Sequence, residues 1–241
     1  MCSLVTNYIN LPYDIMVEIK SYVIFTPKYK QELKDAIDLW CSSKKSDSDF
    51  TYLNGSAYKL YGHISLWNTK YITDMSNLFE DITNFNSIIS SWDVSNVTNM
   101  KCMFYGVSDF NQPLNNWDVS CVTNMNSMFR GAMSFNQPLD KWNVSNVTDM
   151  GCMFDTADEF NQPLNNWNVS SVTNMGCMFY GAMLFNQPLD NWDVSSVTNM
   201  GSMFEYAWCF NQLLIDWDVT NIDSDSENIE EIEENTYYNT F

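Results

Sequence analysis

The sequence predicts an α/β solenoid of 25-residue coils, preceded by a small α-helical module. Three observations carry that reading. Trp67, Trp92, Trp117, Trp142, Trp167, Trp192 and Trp217 follow one another at a step of 25 residues without insertion. Other columns keep the same register: Phe85, Phe110, Phe135, Phe160, Phe185 and Phe210, each followed by Asn, and Met75, Met100, Met125, Met150, Met175 and Met200. Within one repeat, Val97, Met100, Met103, Phe104 and Val107 fall at helical intervals and so share one apolar face.

The elements follow in order. Residues 1–45 read as the helical module, because Leu33, Ala36, Ile37 and Trp40 recur at helical spacing. Residues 46–66 form a connector and a first partial coil, and residues 67–222 the repeats proper. In each repeat a short helix is expected, with Ser95 or Asn96 as its N-cap and Gly106 near its end. A brief strand from Phe110 through Leu114 to Trp117 is expected to follow, shortened by Pro113. The Asn after each Phe is expected to bond to the backbone of the next coil, and the in-register Trp to form a core ladder. One coil alone cannot bury its apolar face, so the coils must stack. Residues 223–241 read as an acidic cap and tail, with Ile229 and Ile232 against the last coil.

Composition narrows the function. The formal net charge is −19, which makes nucleic acid and anionic membranes poor partners. Eight of the eleven Lys and Arg residues precede residue 71, leaving Lys101, Arg130 and Lys141 for the rest. Asp14 and Glu18 interrupt the apolar character near the start, and no stretch is long enough to span a bilayer. Seven cysteines without a C-x-x-C pair favour free thiols in a reducing compartment. An intracellular location without membrane insertion is therefore expected.

Catalysis, cofactors and metals find no support in the residues. His63 is the lone histidine and stands in the column that later holds Pro113, Pro138, Pro163 and Pro188. The carboxylates Asp109, Asp158 and Glu159 occupy variable positions and read as a solvated face. Cys102, Cys152 and Cys177 alternate with Ser127 and Ser202, which suggests a small, mostly buried site. Asn54, Asn96, Asn143, Asn146 and Asn168 open N-x-Ser/Thr sequons that arise mainly from the repeat columns. Asp223, Asp225, Glu227 and Glu234 match EF-hand ligand positions, but Asn228 stands where that loop needs Gly, so an end cap is the better reading. Ligand selection falls to residues that change from coil to coil: Lys101, Tyr105, Asn126, Arg130, Asp155, Tyr180 and Glu205. Their acidic bias suits a basic or polar protein partner.

Two resemblances add to this. Residues 103–125, 128–150 and 178–200 carry Met-Phe-x-x-Ala/Val-x-x-Phe-Asn-Gln-Pro-Leu-x-x-Trp-Asp/Asn-Val-Ser-x-Val-Thr-Asn/Asp-Met, with small departures. That unit resembles the BspA-like leucine-rich repeats of bacterial and mycoplasma surface proteins, protists and some giant viruses. The resemblance implies a right-handed leucine-rich-repeat-type α/β solenoid with a non-catalytic binding or surface role. Residues 11–22, Leu-Pro-Tyr-Asp-Ile-Met-Val-Glu-Ile-Lys-Ser-Tyr, resemble the opening of an F-box. There a Leu-Pro start and a first helix dock onto the Skp-type adaptor of cullin ubiquitin ligases. It implies that Leu11, Pro12, Ile15, Met16 and Ile19 carry such a contact, in the manner of F-box–repeat fusions of giant viruses. The later F-box signature, Val-Cys before a Trp, is not clearly present, and a helical cap over the first coil is the alternative reading of this segment. The functional expectation is a protein-interaction scaffold, with a surface-exposed or virion-associated repeat protein as the alternative.

Overall fold

A computed structural model describes residues 24–42 and 56–222. Two α-helices stand at the front: α1, Lys30–Ser42, and α2, Ser56–Tyr61. A 3-10 turn, Ile64–Leu66, follows, and His63 caps it by accepting the N–H of Ser65. No helix among the described residues is long and apolar enough to cross a membrane.

The expected α/β leucine-rich-repeat-type solenoid, one helix and one strand per coil, is corrected by the structure. Among the described residues no helix occurs beyond Leu66. The β-structure there is reduced to isolated parallel bridges joining Asp74, Asn99, Asn124, Asp149, Asn174 and Asn199 in succession. Each 25-residue repeat is instead a rung made of tight turns. Met103, Tyr105 and Val107 donate their N–H groups to the carbonyls of Met100, Cys102 and Phe104, three residues back. The intervening N–H groups of Met100, Cys102, Phe104 and Gly106 donate to Asn124, Asn126, Met128 and Arg130 of the next rung. An α-helix would commit all of these donors within its own turn. Here they alternate between the turn and the neighbour, so the backbone is satisfied without helix or sheet.

Left-handed residues make the alternation possible. Cys102 and Gly106 have φ of 54° and 68°, and the same two positions are positive in every rung from Asn77 and Asp81 to Ser202 and Tyr206. A positive φ at the third residue is what a type II turn requires, and it breaks an α-helix. The apolar spacing looked helical because successive turns place side chains inward every three or four residues. The expected strand at 110–117 does not form: residues 110–114 belong to no strand, and the segment ends in a turn in which the N–H of Trp117 returns to the carbonyl of Leu114.

Side-chain ladders run through the stack. The first Phe column, Phe79 to Phe204, stacks at 5.3–5.7 Å between centroids. The second, Phe85 to Phe210, stacks at 5.9–6.1 Å. The two columns touch within each rung at 4.0–4.2 Å. In the 25-residue Trp column, every indole N–H from Trp92 to Trp217 donates to the carbonyl of the Leu or Ile 28 residues earlier, at 2.9–3.3 Å. The Asn column forms the expected ladder. Asn111 Oδ1, for example, accepts the N–H of Asn136 at 3.1 Å and Gln137 Nε2 at 2.9 Å.

Helix α1 closes the front of the stack. Leu33, Ala36, Ile37 and Trp40 are buried. Lys34 Nζ donates to the carbonyl of Leu78 at 3.1 Å, and Lys30 Nζ to Asp74 at 3.2 Å. Burial works against the Asp74 carboxylate, but Ser76 and Lys30 outweigh it and hold the group below the usual range. The carbonyl of Leu78 stands where Met103 accepts from Phe79 one rung later, so a lysine supplies the donor that a preceding rung would have.

Thr156 offers a direct test of this backbone. Its φ is 53° in a column that otherwise holds Gly106, Gly131 and Gly181, with Asp81 and Tyr206 at the two ends. A β-branched residue is strained there. Thr156→Gly should stabilise the protein by about 1 kcal/mol, relief of strain exceeding the entropy glycine adds to the unfolded chain. A higher urea midpoint with unchanged slope is expected; an unchanged or lower midpoint would show that the left-handed backbone costs nothing at this position.

Candidate interaction face

The rungs share a constant frame and differ at a few outward positions. One variable column reads Glu80, Tyr105, Arg130, Asp155, Tyr180 and Glu205. Arg130 Nε bonds Asp155 Oδ2 at 2.9 Å, and its guanidinium lies 5.6 Å from the Tyr105 ring centroid. Asp155 is buried whereas Arg130 is half exposed. Burial holds the Asp155 carboxyl above its usual range even though Arg130 pulls it down. Tyr180 meets Tyr206 edge-on at 5.2 Å.

A second variable column lies three residues further along each rung. It presents Met133, Asp158, Met183 and Trp208, kept in register by the N–H of Glu159 to Met133 O and of Cys209 to Met183 O. Met133, Met183, Leu184 and Trp208 are exposed, Trp208 by 76%. These apolar residues were missed in the sequence. The available signal was Trp208 itself, which stands outside the 25-residue Trp register.

The cysteine column sits between the variable residues. Cys102, Ser127, Cys152, Cys177 and Ser202 all adopt left-handed backbone, φ 52–56°, and the three cysteines are half-buried rather than mostly buried. Burial, with help from Cys177 on the next rung and Asp155 on its own, pushes the Cys152 thiol up to about 11. Its thiolate fraction at neutral pH is then roughly a hundredfold below that of an ordinary thiol. Of the cysteines among the described residues, a maleimide at pH 7.5 should modify the exposed Cys121 and Cys209 first and Cys152 last, read by mass spectrometry. Prompt labelling of Cys152 would mean that its rung opens readily.

Of the residues expected to select a ligand, Lys101 and Arg130 are exposed, Tyr105, Asn126, Tyr180 and Glu205 half-buried, and Asp155 buried. Asp155 therefore props Arg130 rather than meeting a partner. Leu11, Pro12, Ile15, Met16 and Ile19, expected to carry the adaptor contact, lie outside the described residues, as do Asp223, Asp225, Glu227 and Glu234. Among the described residues no group of three or more His, Cys, Asp or Glu is arranged to hold a metal ion.

Two overlapping stretches, residues 48–162 and 138–239, match the family model described as Mycoplasma protein of unknown function, DUF285. The chain belongs to the DUF285 family. The DUF285 matches run through every rung described above, so the family pattern and the repeat coincide along this chain. The constant columns of this DUF285 chain are the Phe, Trp, Met and Asn ladders. No curated protein and no solved structure matches the chain.

Proposed function

We propose that the chain is a non-catalytic protein-binding scaffold, in which the repeat stack selects a target and residues 11–22 recruit a Skp-type adaptor of a ubiquitin ligase. One observation supports the scaffold most: large apolar side chains, Met183, Leu184 and Trp208, stand exposed at variable positions of a frame whose inward columns barely change. Exposed apolar groups of this kind mark contact surfaces, and aromatic anchors dominate binding energy where they occur. The adaptor reading rests on the Leu11–Pro12 start and on Ile15, Met16 and Ile19. It places the protein inside a eukaryotic cell.

The test separates the two parts. Full-length protein and a Met183→Ala/Trp208→Ala variant are crosslinked in eukaryotic cells and purified, and a purified Skp-type adaptor is titrated against both and against Ile15→Asp/Ile19→Asp. Direct binding lost only in the Ile15/Ile19 variant supports the adaptor role. Crosslinked partners lost only in the Met183/Trp208 variant support the face. No adaptor binding by the intact chain removes the adaptor reading, and identical partners for both chains remove the face.

A second reading, a repeat protein displayed on a cell or particle surface, rests on the resemblance of residues 103–125, 128–150 and 178–200 to the BspA-like repeats. A membrane-impermeant thiol reagent applied to intact cells or particles would label Cys121 and Cys209 in that case. Labelling only after lysis counts against it.

A further inference from the structure

The front of the stack carries a cleft that lies apart from the face described above. Residues 24–28 run beside the first rung, where the carbonyl of Phe25 accepts the N–H of Asn68 at 2.9 Å. The Phe25 ring meets Tyr61 at 4.4 Å and Trp67 at 5.2 Å between centroids, which anchors the segment on the end of α2 and the head of the Trp column. Between this segment, the end of α2 and the turn at 68–71 lies an open cleft of about 640 Å³. That is the size of a binding site rather than of a surface wrinkle. Ile24, Leu60 and Tyr71 line it and are exposed, Leu60 by 67%.

Two cations converge on this cleft. Lys28 Nζ lies 3.9 Å and Lys70 Nζ 4.9 Å from the centroid of the Tyr71 ring, so two ammonium groups gather on one aromatic side chain. Neither forms an ion pair among the described residues, whereas Lys30, Lys34 and Arg130 each do. Glu32 is the one carboxylate in the lining, and its Oε2 is taken up by the backbone N–H of Lys28 at 2.8 Å. The turn that carries Lys70 is fixed as well. Asn68 Oδ1 accepts the N–H of Lys70 at 3.3 Å, Asn96 Nδ2 donates to its carbonyl at 2.9 Å, and the buried Thr69 donates its hydroxyl to the carbonyl of Asp93 at 2.8 Å. We infer that the cleft binds an acidic segment of a partner protein, one that sets an aliphatic or aromatic side chain beside a carboxylate. The carboxylate meets Lys28 and Lys70, and the apolar side chain meets Ile24 and Leu60. Charge complementarity selects this occupant: the lining is net positive in a chain of net charge −19. Two lysines are too few to track a nucleic-acid backbone against that overall charge. An open cleft suits a segment lying across it, since a small ligand needs enclosure on most of its surface. The backbone under both lysines is held in advance, so no loop has to order on binding.

The inference is independent of the partners proposed above and is tested on the full chain with a phage-displayed library of random dodecapeptides. Selection at low salt should enrich peptides that place Asp or Glu beside an aliphatic or aromatic residue. The enriched peptide is synthesised and its Kd measured by calorimetry. Lys28→Glu/Lys70→Glu should weaken it by about tenfold, two exposed attractions having become repulsions. Lys28→Gln/Lys70→Gln should weaken it less, and Trp208→Ala should leave it unchanged. Added NaCl should weaken binding to the intact chain more than to the Gln variant. Both lysines are exposed, so an unchanged urea midpoint is expected in each variant and shows that folding is intact. Enrichment of neutral or basic peptides, no enrichment, or an acidic peptide whose Kd ignores both lysine variants overturns the inference. Loss of the acidic peptide in Trp208→Ala alone overturns it in favour of the other face. A doubled mass abolished by Lys28→Glu/Lys70→Glu, with no peptide selected, overturns it in favour of a second copy.

Discussion

Trp142→Ala should destabilise the protein by about 3–5 kcal/mol, the range for emptying a large aromatic site in a core. Trp142 is buried, stacks on Trp167 at 6.4 Å and contacts Phe129 at 6.3 Å. Its indole also donates to the carbonyl of Leu114 at 3.0 Å, so the substitution removes a rung-to-rung bond with the ring. Trp142→Phe should cost less: it keeps part of the stack and loses the buried N–H, a net effect of about 1 kcal/mol for the hydrogen bond alone. Trp217→Ala should fall between the two, because Trp217 stacks on Trp192 but is slightly more open than the inner tryptophans. Urea unfolding of the three variants checks the order. Equal losses at Trp142 and Trp217 would mean that contacts within a rung, not between rungs, carry the stability.

That ordering depends on coupling between neighbours, which is the part of the fold the sequence displayed most openly. The Trp, Phe and Asn columns are periodic because each residue meets its own copy on the next rung, and a step of 25 can be counted without any structure. The conformation inside the rung was not legible in the same way. Val97, Met100, Met103, Phe104 and Val107 satisfy a helical template, yet they ride on consecutive turns. Apolar periodicity reports which side chains point inward; it does not report where the N–H groups go. The left-handed position was visible at Gly106, Gly131 and Gly181. At Cys102, Ser127 and Cys152 the side chain hid it.

The candidate face was half legible for a related reason. Tyr105, Arg130 and Tyr180 stood out because they vary in a column whose neighbours do not. Asp155 varies too, but its carboxylate is turned into the stack, and no spacing rule separates an outward acid from an inward one. Met133 and Met183 were concealed by composition: in a chain with 15 methionines, most at core columns, two exposed ones look like more core. Burial distinguishes them, and burial comes from the stacking of rungs.

The inward acid makes the second large effect one-sided. Arg130→Ala should cost about 2–3 kcal/mol, below the range for a fully buried pair because the Arg130 side chain is 44% exposed against 6% for Asp155. The loss comes from the carboxylate left without its cation. Asp155→Asn should cost less, since it leaves a guanidinium that can turn to water. The pH dependence has a definite sign. Asp155 titrates above its ordinary value in the folded protein, so between that folded value and the unfolded one the native state holds more protons than the unfolded state. Stability from this group therefore rises as the pH falls through the folded pKa and is complete below the unfolded one. Without Arg130 the carboxyl moves further up and the rise grows. Asp118, held low by the hydroxyl and N–H of Ser120, acts oppositely and at lower pH, and it is common to every variant. The difference in unfolding free energy between wild type and Arg130→Ala should thus shrink on acidification from pH 7, whereas the difference between Asp155→Asn and the Arg130→Ala/Asp155→Asn double variant should not change with pH. A pH-independent difference would mean that Arg130 matters through its stem packing near Tyr105 rather than through the charge beneath it.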